Sequence, residues 1–138
     1  MSQTTSRQSV GARSPWAAGA SAFAATLLVV AGALELVQGL VAVIDGSDFF
    51  GSSPDYPFGY DPSTWGWVHL VLGLLLAATG IAIFRGSWIG RAVGITLAGL
   101  SVVLNFLWLP YYPEWALVLI AVGILVVWGL SVADLSRR

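Results

Sequence analysis

The 138-residue sequence contains no cysteine, no lysine and one histidine, and only 9% of its residues are charged. Without cysteine, the chain can form no disulfide, thiolate metal site or thiol nucleophile. One histidine cannot supply both axial ligands of a haem or a three-histidine zinc site, so we expect no cofactor and no metal within one chain. A net charge of −1 gives no basic face, so nucleic acid is not an expected partner.

No catalytic residues are predicted either. The sequence lacks the P-loop, the G-x-S-x-G nucleophile motif and the H-E-x-x-H zinc motif. A non-enzymatic protein is therefore the favoured interpretation, although the sequence does not decide the question.

Apolar residues make up 57% of the chain, far more than in a soluble domain. They form four long segments, and about 20 residues suffice for a helix to cross the ~30 Å of bilayer hydrocarbon. The sequence predicts an all-α, four-transmembrane-helix bundle that occupies residues 16–138 after a disordered cytoplasmic tail at 1–15. The predicted helices cover about 17–44, 62–84, 88–109 and 113–133.

The arginines predict the orientation of this bundle. All six lie before helix 1, between helices 2 and 3, or after helix 4, at Arg7, Arg13, Arg85, Arg91, Arg137 and Arg138. The connections at 45–63 and 110–113 contain no basic residue. Because cytoplasmic loops retain positive charge, both termini are expected inside, and the acidic, aromatic loop between helices 1 and 2 is expected outside.

Four polar residues fall within the predicted spans at a similar depth toward the outer side: Glu35, Gln38, His69 and Asn105. Hydrogen bonds between helices explain such residues structurally, whereas an acidic residue inside a membrane is a functional candidate by default. A Glu35–His69 pair could carry or sense a proton near neutral pH. Both interpretations remain open for this cluster.

Small residues share faces with these polar ones, which predicts close helix packing. The candidate packing residues are Gly73, Gly80, Gly90, Gly94 and Ala98. Aromatic residues collect at the predicted outer boundary, where tryptophan and tyrosine anchor membrane proteins. This candidate aromatic cap comprises Trp65, Trp67, Trp108, Tyr111, Tyr112 and Trp115. Helix 4 shows no polar stripe and is expected to face lipid or a partner.

Two stretches of the sequence resemble those of a known protein family. Residues 64–70, of sequence TWGWVHL, and residues 105–113, of sequence NFLWLPYYP, resemble signatures of an uncharacterised family of small actinobacterial membrane proteins. The resemblance covers roughly residues 17–133 and implies four helices in a bacterial inner membrane. It implies no activity, because the family is a domain of unknown function.

Three functions are compatible with these observations. The favoured one is a non-enzymatic accessory protein whose outer loop or helix 4 meets another membrane protein or a second copy. The alternative is a small proton-linked carrier or sensor that uses Glu35 and His69. A weaker alternative is a quinone- or lipid-handling subunit with an aromatic outer face. Small multidrug-resistance transporters share the four-helix architecture and a glutamate in helix 1. Here Gly39 follows Glu35 by four residues, one more than that family's spacing. Shared architecture does not establish transport.

Overall fold

A computed structural model describes residues 15–49 and 61–135 of the chain. These residues form four helices: α1 at Pro15–Phe49, α2 at Pro62–Phe84, α3 at Trp88–Trp108 and α4 at Pro113–Leu135. Each helix is long and apolar enough to cross a membrane. The predicted all-α fold of four potential membrane-spanning helices is therefore confirmed.

Local sequence explains where α2 begins and ends. Asp61 caps its first turn by accepting a hydrogen bond from the Thr64 amide, and Pro62 occupies the first helical position. At the other end, the amides of Gly86 and Ser87 bond to the carbonyls of Ile83 and Ala82. Gly86 has a φ of +87°, so this is the left-handed glycine turn that commonly ends a helix.

The same turn leads directly into α3. Ser87 is extended and accepts a hydrogen bond from the Gly90 amide on its side-chain oxygen, which caps the new helix. Because only the turn of Arg85, Gly86 and Ser87 separates the two helices, α2 and α3 run antiparallel.

Helix α1 is longer than predicted at both ends, since it begins at Pro15 and continues to Phe49. Glycine and serine weaken a helix without ending it, and the next proline comes only at Pro54. The helix therefore takes up the first residues of the expected 45–63 loop. The remainder of that loop, at 50–60, and the expected tail before Pro15 lie outside the described residues.

Each helix packs against its neighbour in the chain, and α4 closes the bundle against α1. We call the end at which α1 ends and α2 begins the far end, and the opposite end the near end. The half toward the near end has an apolar core of nine residues: Ala24, Ala25, Leu28, Leu72, Leu76, Ile83, Ala98, Val126 and Leu130. The polar residues gather above this core, toward the far end.

Glycine brings α1 and α2 into close contact. A Cβ atom built on Gly32 would lie 2.6 Å from the carbonyl oxygen of Gly73, and one on Gly39 would lie 2.7 Å from that of Gly66. No real side chain tolerates such distances from a backbone, so only glycine permits this approach. The close pairing fixes the height of α2 relative to α1 and thereby aligns their polar residues.

The expectation that helix 4 is more lipid-facing than the other helices is wrong. Helix α4 is buried to the same extent as α1 and α2, at 39% of its membrane-length window, against 33% for α3. It buries a stripe of small and aliphatic residues: Ala116, Leu119, Gly123, Val126, Gly129, Leu130 and Ala133. The expectation rested on the absence of polar residues, but in lipid close packing of small side chains is sufficient to join helices.

Candidate functional site

All four polar residues singled out in the sequence lie in one buried layer near the far end. Glu35 comes from α1, His69 from α2 and Asn105 from α3, and each of these three side chains is 0% exposed. Gln38, one turn beyond Glu35 on α1, is 2% exposed. The structure therefore joins three helices through ionisable and amide groups, and Glu35 lies at the centre.

One carboxylate oxygen of Glu35 receives hydrogen bonds from α3. Ser101 donates its hydroxyl to Oε1 of Glu35 at 2.5 Å, and Asn105 donates its Nδ2 to the same oxygen at 2.9 Å. The Asn105 Nδ2 also donates to the carbonyl of Ser101, which fixes the orientation of the amide. These two donors satisfy a buried oxygen that would otherwise be costly inside the bundle.

The other oxygen, Oε2, contacts Nδ1 of His69. Both atoms carry lone pairs, so a hydrogen bond between them requires one proton on either the imidazole or the carboxyl group. The arrangement is thus a contact between a carboxyl group and an imidazole ring that joins α1 to α2.

Gln38 connects this pair to α4. Trp115 donates its indole Nε1–H to Oε1 of Gln38 at 2.6 Å, while Nε2 of Gln38 lies 3.5 Å from Nδ1 of His69. Trp115 is partly buried, in contrast to a residue that only anchors the protein at the bilayer surface. The layer therefore draws a side chain from each of the four helices.

Aromatic rings cover the layer on its far side. The Trp65 ring lies 4.7 Å from that of His69, centroid to centroid, and stacks on Trp108 at 5.1 Å. Trp108 in turn stacks on Tyr111 at 4.4 Å. Trp65 and Trp108 are 7% and 1% exposed, so they are interior residues. In the candidate aromatic cap, Trp67 differs because it points outward and is 58% exposed.

Two buried polar atoms of the layer have no hydrogen-bond partner among the described residues. They are Nε2 of His69 and Oδ1 of Asn105. A buried polar atom without a partner is costly, and such atoms are uncommon in folded proteins.

The packing residues from the sequence occupy different interfaces. Gly73 and Gly80 face the backbone of α1, whereas Gly90 and Gly94 face Ile83 of α2. Ala98 is buried in the core cluster. The set therefore does not form one continuous packing surface.

Sequence reasoning did not assign Ser101 or Trp115 to the polar site. Ser101 lies four residues before Asn105 and so shares its helix face, a signal that could have placed it beside Glu35. Trp115 carried no comparable signal, because boundary tryptophans usually serve as anchors and only the tertiary structure places its indole beside Gln38.

An apolar groove of about 520 Å³ follows the seam between α2 and α3. Its walls are mostly aliphatic and include Val68, Leu72 and Leu104. Glu35, His69 and Asn105 do not line it. The groove therefore offers an apolar molecule a place at the bundle surface but provides no direct contact with the polar layer.

The described residues form a four-helix bundle around a buried polar layer, and each helix has the length and composition of a membrane span. The chain belongs to the family described as Domain of unknown function (DUF7144), which matches residues 20–134. The resemblance to a family of unknown function is thereby confirmed. No curated protein and no solved structure matches the chain.

Proposed function

We propose that this chain is a non-enzymatic, proton-responsive accessory protein of the bacterial inner membrane, with Glu35 and His69 as its proton-binding site. The observation that carries the proposal is the contact between these two side chains, both 0% exposed, at the centre of a hydrogen-bonded layer. A carboxyl group and an imidazole in contact can bind or release a proton, and the net charge of the pair changes when they do. A change of charge inside a membrane alters the packing energy of the helices around it.

The orientation that we propose places both termini in the cytoplasm and the far end outside. It rests on the six arginines: two precede α1, Arg85 lies in the turn after α2, Arg91 lies in the first turn of α3, and two follow α4. In this orientation the Glu35–His69 pair lies in the outer leaflet. The partner is another membrane protein or a second copy of the chain, in addition to the lipid bilayer.

The carrier alternative has less support. A carrier must expose its binding residues to water on each side in turn, whereas Glu35 and His69 are fully enclosed and covered by the Trp65–Trp108 stack. The quinone- or lipid-handling alternative also has less support, because the apolar groove brings no polar atom of the layer to a head group.

Histidine NMR tests the proton site directly, since His69 is the only histidine in the chain. The protein would be labelled with ¹⁵N-histidine, purified through a tag without histidine and placed in lipid nanodiscs. We expect the His69 ring signals to change with pH in the unsubstituted protein. In Glu35→Gln the imidazole loses its carboxyl partner, and we expect its response to pH to differ from that of the unsubstituted protein.

Val37→Leu serves as the matched control, because Val37 lies on the same helix and is 54% exposed. The pH response of the His69 ring signals in Val37→Leu should match that in the unsubstituted protein. His69 signals that stay constant with pH in the unsubstituted protein would overturn the proposed proton site.

Native mass spectrometry tests the accessory role. The tagged protein would be extracted from its own membrane in mild detergent at two pH values on either side of the His69 titration. We expect stoichiometric association with a membrane protein, or with a second copy, that differs between the two conditions. A monomer that carries only lipid under both conditions would contradict this role.

A further inference from the structure

We propose that the apolar groove between α2 and α3 holds one acyl chain of a membrane phospholipid, with the lipid head group at the far end. The inference goes beyond the proposed function, because it concerns a bound ligand and does not involve the Glu35–His69 pair. It rests on the length of the groove, its width and the chemistry of its walls.

The groove follows from the way in which α2 uses its small residues. Toward the near end, Ile83 of α2 lies close to α3, since a Cβ atom on Gly90 or Gly94 would come within 3.2 or 3.4 Å of its side chain. In the far half of α2, however, Gly66 and Gly73 face α1. That half presents valine and leucine toward α3, and a groove remains between the two helices.

The groove is about as long as one leaflet of the bilayer is thick. On α2 its wall extends from Thr64, in the first turn, to Leu75, which is about 16 Å along the helix. The hydrocarbon of one leaflet is about 15 Å thick, half of the bilayer core. On α3 the wall extends from Leu104 to Leu97, in the same half of the bundle. The groove therefore begins at the far-end boundary and ends near the middle of the bundle, as an extended acyl chain does.

The groove is too narrow for a helix of a partner or of a second copy. Its volume of about 520 Å³ over this length gives a mean cross-section of about 30 Å². A helix with its side chains is about 10–12 Å across, which corresponds to about 80–110 Å². Carbon atoms in contact lie about 4 Å apart, so a single hydrocarbon chain has a cross-section of about 13–20 Å². A stable protein interface also takes about 20–30 residues from each side, whereas nine residues line the groove.

The walls specify an uncharged, apolar occupant. None of the nine lining residues is charged, and below the mouth all of them are valine or leucine. Thr64 and Trp67 line the mouth at the far end, and the Thr64 hydroxyl already donates to Asp61. Tryptophan prefers the level of the lipid head groups, and Trp67 is 58% exposed. The polar head group of the bound lipid therefore lies outside the groove, at the level of Trp67.

A bound chain would support the bundle from outside. Leu72 and Leu104 line the groove and also pack in or against the apolar core. Leu104 directly precedes Asn105, which donates to Glu35 from α3. A ligand that binds only the folded bundle stabilises it, so the lipid is a structural ligand of the seam between α2 and α3. It is not a substrate, and this distinguishes the site from the lipid-handling alternative.

A photoreactive lipid tests the site directly. The full-length protein would be placed in phosphatidylcholine nanodiscs that include a phosphatidylcholine with a diazirine in the middle of one acyl chain. Irradiation gives a carbene that inserts into aliphatic C–H bonds, and peptide mass spectrometry locates the adducts. We expect several-fold more adduct at Val71, Leu75 and Leu100 than at Val103 and Val118, which are 56% and 49% exposed but do not line the groove. An even distribution would overturn the proposal, because the groove would then be ordinary lipid-facing surface.

A substitution that fills the groove tests whether the lipid is retained there. The protein would be extracted from its own membrane and followed by native mass spectrometry during stepwise removal of lipid by detergent. We expect the unsubstituted protein to retain one phospholipid and Leu100→Trp to lose it. Val103→Trp is the matched control, since it adds a similar bulk one turn away on the same helix, outside the groove. Equal retention in the two variants would contradict a site in the groove.

Circular dichroism checks that each variant folds. If Leu100→Trp does not fold, Val71→Trp fills the groove from the opposite wall, and the adduct map of the unsubstituted protein decides the question without any variant. A retained quinone in place of a phospholipid would overturn the assignment. So would a second copy of the chain whose association is lost in Leu100→Trp.

The outcomes separate this inference from the proposed function. A protein that retains its lipid, but whose His69 ring signals do not change with pH, would contradict only the proton site. A protein whose His69 signals respond to pH, but which retains no lipid and labels evenly, would contradict only the acyl-chain site.

Discussion

At the scale of single residues, Glu35 imposes the strongest requirement on its surroundings. An ionisable side chain that is 0% exposed inside a membrane-spanning helix is stable only if its oxygens find partners. Ser101 and Asn105 supply two donors to Oε1, and His69 meets Oε2. The two carboxylate oxygens thus have different environments, and only the one that faces His69 is placed to exchange a proton with it.

Asp61 provides a residue-scale prediction outside the membrane-spanning segments. Thr64 donates its hydroxyl at 2.8 Å and its amide at 3.0 Å to Oδ2 of Asp61. These bonds, the hydroxyl first, lower the pKa of Asp61 below its ordinary value of 3.8. The folded protein therefore favours the charged cap. Its stabilisation of α2 is present above the pKa of the unfolded chain and is lost as pH falls through the lower folded value.

We expect the first turn of α2 to lose amide hydrogen-exchange protection on acidification below about pH 4, measured at Trp65, whose amide bonds to the Asp61 carbonyl. Asp61→Ala should show the loss at every pH. Asp61→Asn keeps a capping oxygen that does not titrate, so its protection should persist in acid. If the first turn of α2 lost amide protection equally in Asp61→Asn and Asp61→Ala, the side chain of residue 61 would not cap the helix.

Depth and helix face, read from the sequence, were sufficient to group Glu35, Gln38, His69 and Asn105, and the structure places these residues in one layer. The periodicity of a helix specifies which residues share a face. It does not specify which side chain on a neighbouring helix each one meets. The contacts of Ser101 and Trp115 depend on the crossing of three helices, which a single sequence does not reveal.

At the scale of the helix, the contact between α1 and α2 is set by a seven-residue repeat of small residues. Ala25, Gly32 and Gly39 on α1 oppose Gly80, Gly73 and Gly66 on α2 in antiparallel register. A seven-residue spacing keeps one seam facing its partner when helices cross at a shallow left-handed angle. The repeat brings Glu35 and His69 to nearly the same height, because Glu35 lies three residues after Gly32 and His69 lies four residues before the opposing Gly73.

The helix boundaries were largely predictable, because capping and turn residues act locally. Asp61 and Ser87 are residue types that favour helix N-caps, and Gly86 favours the left-handed turn after a helix, so their positions follow from local sequence. The end of α1 at Phe49 was not predicted, because no local signal ends the helix before that residue. The pairing of the glycine repeats also escaped prediction, although the small-residue face of each helix was visible, because the register between two helices is a tertiary property.

This repeat predicts a strong difference between two glycine-to-alanine substitutions. A Cβ on Gly73 would lie 2.7 Å from backbone atoms of α1, whereas one on Gly99 of α3 would meet nothing within 4 Å. We expect Gly73→Ala to destabilise the bundle by about 1–3 kcal/mol through overpacking. Gly99→Ala should be neutral or stabilise it by up to about 1 kcal/mol, because alanine favours helix.

Reversible unfolding in mixed micelles, followed by circular dichroism, measures both variants under one condition. Gly73→Ala should also disturb the His69 ring signals, since the seam sets the height of His69 relative to Glu35. If Gly73→Ala were as stable as Gly99→Ala, the close approach of α1 and α2 would not be a feature of the folded protein.

At the scale of the whole molecule, the two ends of the bundle bury different sets of side chains, although the near end also buries Ser21, Thr79 and Arg91. The core cluster fills the near end, and the Glu35 layer with its aromatic cover fills the far end. A rearrangement driven by proton uptake would therefore act mainly on the far halves of the helices, while the apolar core holds their near halves together. This division agrees with an accessory protein that responds on one side of the membrane.

The proposed side is outside, and the absence of cysteine makes it directly testable. Each single-cysteine variant carries one thiol, so a membrane-impermeant maleimide reports the location of that position alone. Ser63→Cys marks the far end, at the exposed start of α2, and Ser136→Cys lies beside the C-terminal arginines. In intact spheroplasts we expect labelling of Ser63→Cys only, with Ser136→Cys labelled after permeabilisation, because positively charged segments remain in the cytoplasm.

The reverse pattern would place the Glu35–His69 pair in the inner leaflet, where it would respond to cytoplasmic pH. Four crossings place Ser136 on the same side of the membrane as the N-terminus and opposite to Ser63. Labelling of both positions in intact spheroplasts would therefore contradict the proposed four crossings.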